Sequence, residues 1–276
     1  MTNMHQFWLR HDKALSEHGG AQQATLSHDL YRGMPPWFNA YYAHFQQRAV
    51  VSLLRHCGPL TEMRVLDVGC GTGRWSRLLA SIDAHPVGVD IGMGALRLAT
   101  TQMDSGRFSA AALPHLGFAD GVFDLVISVL VLQHIPRPQQ QEAITALARV
   151  LRPGGWFIAC EIVDPTDQAP HVFANPVEAW QAMFKAAGLQ RAAYAPCEYI
   201  PYVRLFQRVR DWLGRRKSLG ATIPDVSSVA KTLQRRPILA WMLRIAIMIS
   251  YPLEYVASWF LPRRWARLGG FLFVKE

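Results

Sequence analysis

The chain has 276 residues, 50% hydrophobic and only 18% charged, with 13 Phe, 9 Trp and 8 Tyr; that composition excludes a disordered or low-complexity protein and suits one large domain or two small ones. Its 29 Lys+Arg against 20 Asp+Glu give a formal charge of +9, at first sight the footprint of a phosphate binder. Residues 1–200, however, hold 15 basic against 16 acidic residues while residues 201–276 hold 14 against 4, so the basic character belongs to the last quarter alone. The cysteines Cys57, Cys70, Cys160 and Cys197 form no CxxC pair, which argues against zinc or redox exchange and for reduced thiols in a cytoplasmic protein.

The first twenty residues contain no unbroken apolar stretch of signal-peptide length, so secretion is not expected. Residues 1–63 read as an N-terminal helical cap. Within it, after Pro35-Pro36, Phe38, Tyr41, Tyr42, Phe45, Val50, Leu53 and Leu54 follow helical spacing up to Gly58-Pro59. From Arg64 the pattern changes to short apolar runs alternating with amphipathic stretches: RVLDVG, RWSRLLASI, PVGVD, MGALRLATTQM, FDLVISVLVL, QQQEAITALARVLR and GGWFIACEIV. Buried strands alternating with helices predict βαβ units in a doubly wound, mostly parallel sheet with any ligand along the strands' C-terminal edge. A helix, VEAWQAMFKAAG, and a strand, LQRAAYAPCEYI, follow; residues 203–267 break the alternation before a last strand, GGFLFVKE. The whole chain thus reads as a single α/β domain, 1–276, with a basic hydrophobic helical insertion before its final strand.

The strongest local signal is Val65-Leu66-Asp67-Val68-Gly69-Cys70-Gly71-Thr72-Gly73-Arg74, a buried strand running through three alternating glycines into a helix. Such glycines permit positive φ and close approach of a ligand to the backbone, next to free helix N–H groups. Counting GxGxxG from Gly69 places Arg74 where the third glycine belongs, which weakens a dinucleotide reading. Asp90 ends the next strand, where a carboxylate can accept both hydroxyls of a ribose.

VLDVGCGTG, VGVD, FDLVIS and RVLRPGG, in this order and spacing, resemble the class I S-adenosylmethionine-dependent methyltransferases of small molecules. The resemblance covers about residues 45–200 and the final strand. It implies a Rossmann-like seven-stranded sheet with helices on both faces, and S-adenosylmethionine as cofactor. It further implies that Asp67, Gly69, Cys70, Gly71 and Gly73 surround the methionine moiety, that Asp90 holds the ribose and that Ile91 lies against the adenine. Where many relatives have an acidic residue before the Leu-Pro step, FSAAALP offers only Ser109 and alanines, so backbone groups near Ala110 and Ala111 take its place. Asp124 resembles the acidic position before the family's fourth strand, either fixing a local turn or touching the cofactor.

Methyl transfer from a sulfonium is an in-line displacement, so the protein must align the reactants and, for a hydroxyl acceptor, remove a proton. His134, just past the strand FDLVISVLVL, is the best-placed base near neutral pH, unless it only caps the turn. Glu161, ending GGWFIACE, is an alternative base or a ligand for an acceptor hydroxyl, unless it is a solvated strand-end carboxylate. His171 in the loop DPTDQAPHVFANP, and Tyr41 or Tyr42 in the N-terminal helix, are the acceptor-contact candidates, with ordinary packing or exposure as the competing explanations. Ubiquinone-type O-methyltransferases carry an E-x-x-E-H pattern able to bind a divalent metal; Leu130 and Gln133 stand there in this chain and supply no carboxylate oxygens. No metal is expected.

In the insertion, residues 204–217 and 235–267 hold most of the extra charge. The second stretch looks like a membrane span, but Arg244 and Glu254 leave uncharged runs of 6, 9 and 8 residues between Pro237 and Arg263, short of the ~20 a span needs. Arg235-Arg236 and Arg263-Arg264 bracket it, with Trp241, Tyr251, Tyr255, Trp259 and Trp265 between and beside them, as on a surface facing anionic headgroups. It reads as a lid, or as a lid that also touches a membrane; nucleic acid ranks last, because no stacking platform is visible. The expected activity is methylation, at oxygen, of a small lipophilic metabolite or a lipid- or nucleotide-linked sugar. A carbon or nitrogen acceptor, and a catalytically silent S-adenosylmethionine-binding partner, are the alternatives. The expected location is cytoplasmic, with peripheral contact to the inner face of the membrane. The acceptor and the oligomeric state are open.

Overall fold

In the computed structural model of the chain, described for residues 30, 34–103, 107–165, 171–199 and 233–276, the alternating pattern becomes one sheet. The strands are β1 (Arg64–Val68), β2 (His85–Asp90), β3 (Arg107–Ala110), β4 (Phe123–Val129), β5 (Leu151–Ile162), β6 (Leu189–Cys197) and β7 (Leu268–Lys275). The helices are α1 (Pro36–Leu54), α2 (Arg74–Ala80), α3 (Met93–Gln102), α4 (Arg137–Val150), α5 (Val177–Ala186) and α6 (Pro237–Phe260). The seven strands lie in the order β3-β2-β1-β4-β5-β7-β6. β7 runs antiparallel to both of its neighbours, and every other pairing is parallel. The order reverses between β1 and β4, and the crevice at that switch point is where an open α/β sheet binds ligands.

Period-two alternation in the strands divides the core. Val65, Leu125, Ile127, Ile158, Ile162, Leu268 and Leu272 face one side with α1, Trp75 and Leu79 of α2, and Leu243 and Ile247 of α6. Leu66, Val126, Phe157, Phe271 and Phe273 face the other with Ile144 and Leu147 of α4 and Trp180 and Phe184 of α5. Both faces are covered, which is why the strands read as near-continuous apolar runs. Pro153, Gly154 and Gly155 lie inside β5, which pairs with β4 through a register irregularity between Phe123 and Leu125.

Within the insertion, α6 forms one continuous helix of 24 residues, followed by a short 3-10 turn at Arg263–Trp265. The basic stretch 204–217 and most of the cap before α1 lie outside the described residues. Charge spacing along the chain had argued against a span; by length and composition alone, α6 is able to cross a membrane. Of its two charges, Glu254 is buried on the same stripe as Leu243, Ile247 and Ser250, whereas Arg244 is exposed.

Candidate functional site

The loop after β1 is shaped by its glycines. Gly69, Gly71 and Gly73 all have positive φ (62°, 53° and 83°), and Gly73 is the residue preceding α2. A Cβ at Gly69 would stand 2.4 Å from Val131 Cγ2, so the glycine also lets the loop abut the turn after β4. Cys70 is buried and its N–H donates to the Val89 carbonyl at 3.0 Å, tying the loop to β2. Asp67 is buried, and its Oδ2 accepts from Ser76 Oγ at 2.6 Å, tying β1 to α2 beneath the loop.

Asp90, half-buried at the end of β2, accepts the Gly71 N–H through Oδ2 at 2.9 Å and the Gly92 N–H through Oδ1 at 2.8 Å. Two backbone donors aim the carboxylate. Ile91 is half-buried beside it. The Ala111 N–H donates to the Asp90 carbonyl at 3.0 Å, with Ala110 exposed at the end of β3. Asp67, Gly69, Cys70, Gly71, Asp90, Ile91, Ala110 and Ala111 therefore gather along the C-terminal edge of β1, β2 and β3.

The second wall is the turn after β4. Leu130 has φ of 60°, a left-handed conformation that costs a bulky residue about 1–3 kcal/mol unless its surroundings enforce it. They do: the Leu130 N–H donates to the Cys160 carbonyl at 2.8 Å. The Val131, Leu132 and Gln133 N–H groups then converge on the Glu161 carboxylate at 3.2, 3.0 and 3.1 Å, with Ser128 Oγ at 3.4 Å. Glu161 is wholly buried. This corrects its reading as a solvent-edge base or acceptor ligand: its oxygens are committed to the orphan donors at the start of a 3-10 turn, Leu132–His134. Burial pushes the carboxyl up to about 8, against the opposing pull of those three N–H groups.

The turn delivers His134. Its Nδ1 lies 2.7 Å from the His171 carbonyl; a carbonyl only accepts, so Nδ1 carries the proton and Nε2 is left as the basic nitrogen. Gln133 Nε2 lies 3.5 Å from that nitrogen. The His134 and His171 rings stack at 5.5 Å with 20° between their planes. The loop bearing His171 is stitched to the turn by the Phe173 N–H on the Gln133 carbonyl at 2.7 Å and by Gln140 Nε2 on the Leu132 and Phe173 carbonyls at 3.2 and 3.1 Å. The structure thus brings His134 and His171 together, on the turn whose Val131 abuts the glycine loop.

Tyr41 and Tyr42 go elsewhere. Both are 1% exposed, and Tyr41 packs edge-on to Phe45 and Tyr251 at 5.0 and 5.1 Å. As acceptor contacts they are corrected to core residues between α1 and α6: their spacing satisfies a helix's inner face, and α6 seals that face. Asp124 lies at the opposite end of the sheet from the glycine loop and fixes strand starts, accepting from the Arg64 N–H at 2.8 Å and Arg152 Nε at 2.6 Å. Sequence reasoning also missed Arg74, which reaches back from α2 to Gln46 Oε1 and the Ala43 carbonyl of α1 at 3.0 and 2.7 Å. Its place one residue after the last glycine was the available signal. Among the described residues, no group of three or more His, Cys, Asp or Glu side chains is arranged to hold a metal ion.

Comparison with known proteins bears on the same edge. Residues 65–155, from β1 into β5, match the family model described as a methyltransferase domain. A ubiquinone biosynthesis O-methyltransferase from Thiobacillus denitrificans is 34% identical over 103 residues, 36% of this chain and 44% of that protein. A malonyl-[acyl-carrier protein] O-methyltransferase from Pseudescherichia vulneris is 32% identical over 142 residues, 51% of this chain and 53% of that protein. The chain thus spans about half the length of these relatives. A crystal structure from Galdieria sulphuraria, named as a sarcosine dimethylglycine methyltransferase, superposes with a TM-score of 0.58 at 15% identity, covering 100% of this chain and 99% of that one; at that identity it speaks for the fold alone.

Proposed function

We propose that the protein is a class I, S-adenosylmethionine-dependent methyltransferase, a reading supported by the match of residues 65–155 to a methyltransferase domain and by the similar O-methyltransferases, and that it transfers a methyl group to a hydroxyl oxygen of a small lipophilic or lipid-linked acceptor. The residues present fit the cofactor. Asp90 offers aimed carboxylate lone pairs to a ribose, the positive-φ glycine loop offers close backbone approach at the start of α2, and half-buried Ile91 offers an apolar side for a purine. When bound, S-adenosylmethionine supplies a methyl carbon activated by its sulfonium.

The remaining work falls to the chain. His134 Nε2 accepts the acceptor's hydroxyl proton, and the charge that develops on the ring is shared through Nδ1–H with the His171 carbonyl at 2.7 Å. Glu161 holds the turn that aims His134 and keeps strained Leu130 in place. The abutment of Val131 on Gly69 keeps base and cofactor loop at one spacing, as an in-line displacement requires. The observation that carries the oxygen preference is the 2.7 Å contact of His134 Nδ1 with the His171 carbonyl, which assigns the proton to Nδ1. O-methylation is also the activity named for two of the similar proteins.

The test is calorimetry with S-adenosylmethionine and S-adenosylhomocysteine, followed by transfer of a tritiated methyl group to aqueous and solvent-soluble extracts. Micromolar binding of both, with label entering the solvent-soluble fraction as a base-stable ether, is the expected result; a base-labile ester would mean a carboxylate acceptor. Binding without transfer to any fraction overturns the enzymatic reading; label on nitrogen or carbon overturns the hydroxyl acceptor.

A further inference from the structure

The outer side of α6 is the least explained surface of the molecule. Among the described residues thirteen large hydrophobics are exposed; ten sit on α6 and an eleventh, Trp265, follows it. At 3.6 residues per turn, Ile238, Trp241, Met248, Ile249, Val256 and Trp259 project opposite the buried stripe of Leu243, Ile247, Ser250 and Glu254, with Met242, Leu253 and Phe260 exposed along one side of that face. Trp241 and Trp259, near the two ends of the helix, are 63% and 73% exposed. Arg235 and Arg236 are exposed before the helix, and Arg263 and Arg264 after it. A face of this size on a soluble protein marks an interaction site.

We propose that α6 docks the protein on an anionic phospholipid bilayer, lying in the plane of the membrane with its outer face in the headgroup–acyl boundary. Charge selects this occupant. Basic pairs stand at both ends of the helix, while its one acid, Glu254, is buried against Tyr41 Oη and the Tyr199 N–H. Two copies of α6 packed face to face, parallel or antiparallel, would bring basic ends against basic ends, whereas an anionic surface neutralises all four arginines at once. At the helix's C-terminal end, Arg263 lines a hollow together with Arg48 and Trp259.

In-plane docking, not crossing, follows from how α6 is held. Its inner face is pinned to α1 over its C-terminal half by Tyr41 and Phe45 against Tyr251 and by His44 Nε2 on Tyr255 Oη at 2.8 Å. Crossing would strip these contacts away and carry Glu254 into hydrocarbon. The proposal stands apart from the methyl-transfer reading and survives its failure.

The full chain is tested by flotation with phosphatidylcholine vesicles, with and without phosphatidylglycerol. Wild type is expected to bind the anionic vesicles at least about tenfold better than the neutral ones, and less so at high salt. I249E combined with L253E, outward-facing and expected to melt like wild type, abolishes binding to both. R263E combined with R264E lowers the anionic preference at least about threefold. Absence of wild-type binding to either vesicle, unchanged binding by the I249E/L253E protein, or a solution dimer that this variant splits would each overturn the proposal. Cofactor calorimetry on the same samples reports the methyltransferase reading separately.

Discussion

The two halves of the sheet treat their polar groups in opposite ways. On β1, β2 and β4, Asp67 and Asp90 are tied to the loop and helix beside them, the carboxylate of Asp90 half-buried at the edge, and His134 is aimed by a carbonyl. On β6 and β7 the ionic groups are sealed inside: Glu198 accepts from Arg267 Nη1 at 2.6 Å and Gln46 Nε2 at 3.0 Å, and Glu254 holds Tyr41 and the Tyr199 N–H. The first half spends its polar groups on a crevice, the second on fastening α1 and α6 to the sheet. Burial raises the Glu198 carboxyl, opposed chiefly by the Arg267 charge, so that half depends on intact pairing.

The largest expected effect comes from breaking that pairing. Arg267→Ala leaves Glu198 buried without its cation and should cost about 3 kcal/mol or more, seen as a large drop in melting temperature; replacing both residues together by Met and Leu should recover much of it. A melting curve unchanged by the single substitution would erase the contrast between the halves. In the crevice, His134→Ala should lower kcat about a hundredfold while leaving cofactor affinity alone, and equal turnover would remove His134 as the base. Asp90→Ala should weaken S-adenosylhomocysteine binding about tenfold, through lost hydrogen bonds to a charged acceptor, measured by calorimetry.

The smallest effect is a pH slope that sharpens the comparison from within the crevice. Glu161 has an ordinary value of 4.5 and is pushed up to about 8 in the fold by burial. Between those values the folded state keeps a proton that the unfolded chain releases, so this group's stabilising contribution is present at low pH and is lost as pH rises through about 8. Glu161→Gln should flatten that decline, which for a domain this size amounts to a few degrees in melting temperature. An unaltered pH–melting profile in the variant would show that Glu161 does not titrate there.

Legibility in the sequence followed how local each constraint is. The glycine loop could be read because positive φ and a helix start demand particular residues at adjacent positions, and Asp90 because a strand end has a defined place on the edge. Tyr41 and Glu161 could not be placed the same way: both are polar-tipped residues on well-predicted elements, and which element covers them depends on packing some two hundred residues away for Tyr41 and about thirty for Glu161. The strained φ of Leu130 left no mark in the sequence, since nothing about a leucine announces that Cys160 and Glu161 will hold it there.

By itself, the amino-acid sequence determined the α/β class, the cofactor-type loop and the concentration of basic charge in the last quarter, because each depends on periodicity, composition or contiguous residues. Only the tertiary structure decided what α6 is. Counted along the chain, Arg244 and Glu254 cut its apolar stretch into short runs; wound into a helix and laid on α1, the same residues leave Glu254 inside and the outer face without acid. The reason is geometric: 3.6 residues per turn sort side chains by angle, and the face that meets the protein is chosen by packing partners the local sequence does not contain.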